Sequence, residues 1–99
     1  MILTEKASER LGIQTVVVLE EDVDGIKRMV VPYAALIYDL QGDTWLYTAT
    51  APLTFVRESI IVDYIENDRV VLVSGPSSGT EVVTVGVAEL YGAETGVSK

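Results

Sequence analysis

The sequence predicts an all-β fold: an antiparallel, barrel-like or sandwich domain of about six to eight short strands with a short N-terminal helix. Three observations carry that expectation. Val, Ile, Thr and Tyr are abundant in a chain that is nearly half apolar. From Ile13 onward most segments, such as IQTVVVLEEDV and TFVRESIIV, carry the two-residue period of strands. Turn-forming residues recur about every 10 to 12 positions, the spacing of an antiparallel sandwich or barrel. At 99 residues the chain is expected to be one domain, with a helix over 4–12, a β domain over 13–92 and a loose tail over 93–99.

Each element has a local reason. Thr4 can cap the N-terminus of the first helix, Glu5 sits in its first turn and Gly12 can supply a left-handed C-terminal cap. Two helical turns are marginal in water, so this helix must dock on the sheet. IQTVVVLEEDV and IKRMVV flank Asp24-Gly25, the pair favoured in a two-residue type I′ hairpin turn. That register places Asp22 opposite Lys27 and Glu21 opposite Arg28, both favourable cross-strand pairs. Pro32 interrupts, and AALIYDL reads as the next strand. Gln41-Gly42-Asp43 turns the chain into TWLYTAT. Pro52 separates that strand from the long run LTFVRESIIVDYI, and Asn67-Asp68 turns again into RVVLVSG. The loop GPSSG leads to EVVTVGV, and AELYG is expected to form a last short helical turn.

Charge and composition exclude several functions. The net charge is −8 and the seven Lys and Arg are scattered, so no basic face is available for nucleic acid. There is no cysteine, which removes disulfides and thiolate zinc sites together. No apolar run approaches the roughly 20 residues of a membrane span. The opening MILTEKASER lacks the apolar stretch of a signal peptide.

GPSSG, residues 75–79, spells the G-x-S-x-G of a serine nucleophile elbow, with Ser77 in the nucleophile's place. A serine hydroxyl needs a neighbouring base, normally histidine, and the chain has no histidine. An elbow also needs a helix after the serine, whereas a strand follows here. Lys6, Lys27 and Lys99 sit at a helix, a hairpin turn and the terminus, poor places for a Ser-Lys pair. The loop is no phosphate cradle either, because Thr80 stands where a P-loop lysine would. The acidic run EEDVDG places Glu20, Asp22, Asp24 and Gly25 at calcium-loop positions one, three, five and six. Position twelve, which requires a bidentate Glu, is Val31. A solvated hairpin tip is the simpler reading. No spacing selects a catalytic carboxylate pair, so no enzymatic activity, cofactor or metal is expected. Trp45, Tyr47 and Phe55 alternate on neighbouring strands. Core packing is the first reading for them and a ligand-stacking surface the second.

From residue 31 to 92 the order of features resembles the C-terminal, membrane-proximal β domain of the periplasmic adaptor subunits of efflux pumps, the HlyD-like membrane fusion proteins. The likeness lies in VPYAALIYDLQGDTWLYT, in TFVRESIIV and above all in VVLVSGPSSGTEVVTVGVAELYG. LTEKASERLGIQTVVV is also similar to the opening of some metal-efflux-like adaptors. The family usually carries Leu where this loop has Pro76. It also carries a biotinyl-lipoyl-like domain and a long helical hairpin, neither of which occurs in this chain. The chain is therefore expected to be an excised piece or a small stand-alone relative.

The resemblance implies a non-enzymatic docking and assembly module in the extracytoplasmic envelope. It would contact an inner-membrane transporter, proton-driven (RND) or ATP-driven (ABC), and neighbouring copies of itself. The expected contact residues are Asp24 and Gly25 at the hairpin tip and Gly75, Pro76, Ser77, Ser78 and Gly79 in the loop. The alternative is a stand-alone small-molecule-binding barrel, with Trp45, Tyr47 and Phe55 lining its mouth.

Overall fold

Local signals decide the first element. The Thr4 side chain accepts a hydrogen bond from the Ala7 N–H at 3.0 Å, and helix α1 (Glu5–Leu11) ends at Gly12 with φ 67°. Its C-terminal N–H groups close onto Glu9 and Ser8 carbonyls, the left-handed cap that glycine adopts without steric cost. The computed structural model describes residues 1–95.

Eight antiparallel strands follow: β1 (Gln14–Val17), β2 (Leu19–Val23), β3 (Ile26–Pro32), β4 (Ile37–Tyr38), β5 (Thr44–Ala51), β6 (Thr54–Glu66), β7 (Arg69–Ser74) and β8 (Glu81–Val85). The order is β1-β8-β5-β6-β7-β3-β2, with β4 beside β5, in one sheet curled into a half-barrel. Two long segments make the curl. β6 pairs with β5 through Thr54–Ile60 and with β7 through Ile61–Glu66, bending at register shifts around Val62. β1 and β2 are one bent run broken only at Val18. Its first half pairs with β8 and its second with β3, so the two ends of the strand order meet at one residue.

The hairpin at Asp24-Gly25 forms as its sequence dictates. Both residues have positive φ, 52° and 82°, and Asp22 faces Lys27 while Glu21 faces Arg28. Asn67, with φ 57°, starts the turn between β6 and β7. Leu53 is the less usual case: a bulky residue at φ 60° in the Pro52-Leu53 turn. The Leu3 N–H donates to the Leu53 carbonyl at 2.8 Å and the Phe55 N–H to the Met1 carbonyl at 2.7 Å, which holds that turn in place.

Alternation delivers two cores. Inside the curl lie Val18, Val31, Leu46, Ile60, Val70, Leu72 and Val82. On the outer face of β5 and β8 lie Ile37, Tyr47, Phe55 and Val83, roofed by Leu11 of α1 and by Leu90 of a second helix, α2 (Val87–Thr95). Strands β5 and β8 are thus covered on both faces, which is why TWLYT and EVV do not alternate cleanly.

Two expectations need correction. AALIYDL is not one strand. Tyr33–Ala35 form a 3₁₀ turn closed by the Leu36 N–H on the Tyr33 carbonyl, and only Ile37–Tyr38 pair with β5. Tertiary packing overrides strand propensity here, because the turn seats Ala35, fully buried, in the inner core. The C-terminal element is also longer than AELYG. It is helix from Val87 to Thr95, so the β domain stops before residue 92 and residues 93–95 are not tail. Full burial of Leu90, worth about 2 kcal/mol, and packing of Val87 and Tyr91 hold the helix despite Gly92 in its middle. Residues 96–99 lie outside the described residues.

Candidate functional site

The GPSSG loop joins β7 to β8. Ser77 is exposed, and its Oγ lies 3.5 Å from the Thr80 hydroxyl. A strand, not a helix, follows it, and among the described residues the hydroxyl's side-chain partner is Thr80, so the local geometry is that of an inter-strand loop. The loop's backbone has a different task. The Gly79 N–H donates to the Val18 carbonyl at 2.9 Å, and the Val18 N–H donates to the Thr80 carbonyl at 2.8 Å. The loop therefore clasps the elbow between β1 and β2, with Gly79 at φ 88°. Gly75 is needed for another reason. A Cβ there would stand 2.7 Å from Leu72 Cδ1 and 3.3 Å from Ile60 Cγ2. Of the five loop residues, Gly75, Ser77, Ser78 and Gly79 are exposed, whereas Pro76 is buried and is removed from the contact residues. Asp24 and Gly25 are exposed at the far hairpin tip.

The three aromatics do not form a barrel mouth. Tyr47 and Phe55 are buried in the outer core, so neither ring face is open to a ligand. Trp45 is half-buried and donates its Nε1–H to Asp39 Oδ2 at 2.9 Å. That bond, with the Asp43 and Gln41 N–H groups and the nearby Arg57 charge, holds the Asp39 carboxyl below the usual aspartate range. The Arg57 guanidinium lies over the Trp45 ring at 4.6 Å and the Tyr91 ring at 5.3 Å. Its Nε sits 3.3 Å from Glu94 Oε1, which also accepts the Tyr47 hydroxyl at 2.6 Å. Burial first, and the Glu94 carboxylate second, push the Tyr47 phenol well above its ordinary value. This cluster pins α2 to the sheet.

A more apolar open surface lies elsewhere, at the seam where the curl meets itself. A cleft of about 450 Å³ opens beside the Val18 elbow. Val16, Val17 and Leu19 form one wall, Val30, Val31 and Pro32 the other, and Glu21, Asp68 and Arg69 the rim. Val17 and Leu19 are 49% and 56% exposed, high values for aliphatic residues beside a core. Arg69 is held by Glu21 and, at 3.4 Å, by Glu66, so this rim cation is internally paired. The sequence carried a sign of this cleft in VVVL, residues 16–19. Four consecutive apolar residues cannot all face one core from a strand, so some must lie open or meet a partner.

No protein-family model matches the chain, and no curated protein matches it.

Proposed function

We propose that this domain is a non-enzymatic docking module, used by an efflux-pump adaptor subunit on the extracytoplasmic side of a transporter and beside copies of itself. One observation carries the docking part: a solvent-open apolar cleft at the seam, bordered by Val16, Val17 and Leu19 and by the edge of β1 that faces away from β8. Exposed aliphatic surface next to unpaired strand edge is the composition of a protein-binding surface. The sequence resemblance between residues 31 and 92 supplies the adaptor context. In that setting the seam, rather than the GPSSG loop or the hairpin tip, makes the principal contact.

The test is recovery of a transporter, identified by mass spectrometry, on immobilised full chain from solubilised envelope membranes. Val17→Asp is expected to abolish that recovery while leaving the fold intact, since Val17 is half open. A transporter recovered equally by the variant, or none recovered by the native chain, would refute the proposal.

The cleft volume also supports the small-molecule reading, because about 300–1,000 Å³ is the usual size of a ligand pocket. Trp45 does not line the cleft, so its fluorescence is a poor reporter. Displacement of an environment-sensitive apolar dye by a library of lipophilic compounds, abolished by Val17→Asp, is the appropriate measurement.

A further inference from the structure

The open edge of β1 faces the seam cleft. Among the described residues β1 pairs with β8 alone, and at the elbow the Val18 N–H and carbonyl bond Thr80 and Gly79 on that side. Antiparallel alternation then turns the backbone groups of Val16 toward β8 and those of Thr15 and Val17 away from it, toward the cleft. β3 walls the cleft opposite but cannot close it. Val30 is the partner of Leu19, and the next residue on the same edge of β3 is Pro32, which has a carbonyl and no N–H. The ladder therefore stops at the elbow, and Thr15 and Val17 are left with two donors and two acceptors beside an apolar wall.

We propose that this edge takes up an extended apolar segment of another protein, carrying one Lys or Arg, as an added strand lying in the cleft. The segment's side chain opposite Val16 joins Val16 on its face of the strand. Those opposite Thr15 and Val17 lie on the other face, beside Val17 and Leu19. Both faces call for apolar side chains. Charge enters at the rim. Arg69 is engaged by Glu21 and Glu66, whereas the exposed Asp68 has no ion-pair partner among the described residues. One basic side chain on the segment complements it, in a chain of net charge −8.

The two open edges differ in a way that favours β1. Proteins commonly blunt an edge strand with charge, and β2 follows that rule: its open edge, on the β8 side of the run, carries Glu20 and Asp22. β1 reads QTVV and carries no charge. A second copy fits the cleft less well. Its own β1 has no cation for Asp68, and it would bring β8 to the side that Pro32 and Arg69 already occupy. A small apolar molecule would fill the cleft and leave the backbone edge unused. An added strand uses both, with main-chain bonds for affinity and alternate side chains for selectivity.

This inference rests on the docking reading in taking the occupant to be a protein, but its test is separate. Full-length ¹⁵N-labelled chain is titrated with a capped peptide of about six residues, apolar and β-branched with one Lys, long enough to span β1. The controls are a Glu-for-Lys counterpart and two forms N-methylated on alternate residues, one set and then the other. The expected result is saturable binding that slows exchange of the Thr15 and Val17 amides about tenfold or more. The Glu20 and Asp22 amides, on the opposite edge of the run, keep their rates. One N-methylated form binds at least about tenfold more weakly than the other, because only one set of N–H groups faces β1. Asp68→Lys, at an exposed turn position, weakens the Lys peptide about fivefold or more at low salt with an unchanged thermal midpoint.

Equal weakening by the two methylation patterns, or protection of Glu20 and Asp22 in place of Thr15 and Val17, would overturn the proposal. So would equal binding of the Glu peptide, or a dimer in sedimentation that protects Thr15 and Val17 without peptide. A saturating apolar dye that leaves peptide affinity unchanged would overturn the part given to the cleft. Peptide binding without transporter recovery would remove the adaptor context and leave the edge standing, whereas transporter recovery without peptide binding would remove the edge alone.

Discussion

Tyr47→Phe tests the cluster that fastens α2 to the sheet. The substitution removes one oxygen from a fully buried side chain and leaves the ring's packing intact. What it deletes is a 2.6 Å bond to Glu94 Oε1. Hydrogen bonds to a charged group contribute about 1.5–3 kcal/mol. Arg57 still holds the same oxygen at 3.3 Å, and the Glu94 side chain is about one-third exposed, so the lower part of that range applies. The expected loss is about 1–2 kcal/mol at pH 7, or roughly 5–15 °C in Tm for a chain of this length. The pH dependence gives a second signature. The native phenol is raised by burial and then by Glu94, whereas an unfolded tyrosine ionises near pH 10. The stabilisation is therefore complete below about pH 10 and falls above it as the unfolded state alone gives up the proton. Its slope is at most about 1.4 kcal/mol per pH unit, less where solvent screens Glu94. Urea melts followed by far-ultraviolet circular dichroism from pH 7 to 11 measure both effects. The difference between the native chain and the variant is expected to shrink through the alkaline range. A loss below about 0.3 kcal/mol at pH 7 with parallel alkaline curves would refute the reasoning.

Other perturbations follow from the same geometry. Gly86→Ala puts a Cβ 2.5 Å from Ile13 Cδ1 at a position with φ 89°, and thermal melts should show a loss of about 2 kcal/mol or more. Gly75→Ala meets side-chain atoms only, Leu72 Cδ1 at 2.7 Å and Ile60 Cγ2 at 3.3 Å, and has no positive φ to strain, so its cost should be smaller, about 1 kcal/mol. Ser77→Ala, in an exposed loop, should change stability by less than about 0.5 kcal/mol in the same melts. Asp39 is held below its usual pKa by the Trp45 indole, so that bond persists above the unfolded aspartate range and is lost as pH falls through the lowered folded value. The Trp45 Nε1–H resonance should move only in that acid window, and Asp39→Asn should remove the transition.

What the sequence disclosed is what short-range chemistry controls. Thr4 and Gly12 bracket a helix because a cap needs only its own neighbours, and Asp24-Gly25 sets its hairpin register for the same reason. The failures are places where distant residues decide. AALIYDL has strand propensity throughout, yet Ala35 is drawn into the inner core and Asp39 turns its carboxylate onto the Gln41 and Asp43 N–H groups, ending β4 after two residues. The length of α2 depends on Leu90 finding Tyr47 and Val83, and nothing between Val87 and Thr95 announces that. The aromatic triplet was readable as a period-two face, but which face met the helices was not. The seam cleft joins Val16 and Leu19 to Pro32 and Arg69, a meeting set by the curl of the sheet. Only the unbroken VVVL run hinted at it.

Val18 gives one residue to both halves of the sheet, and this has a consequence for the chain as it is made. β1 leaves the ribosome more than sixty positions before its partner β8. Until that late strand arrives, the valines of β1 have no ladder to join, and neither the elbow nor the groove beside it can exist. A nascent protein stopped short of β8 would keep the β2–β3 hairpin and the β5–β6–β7 meander while leaving its earliest strand without a place. Maturation of the seam thus waits until β8 has been made, which keeps a chain lacking that strand from engaging whatever the finished groove receives.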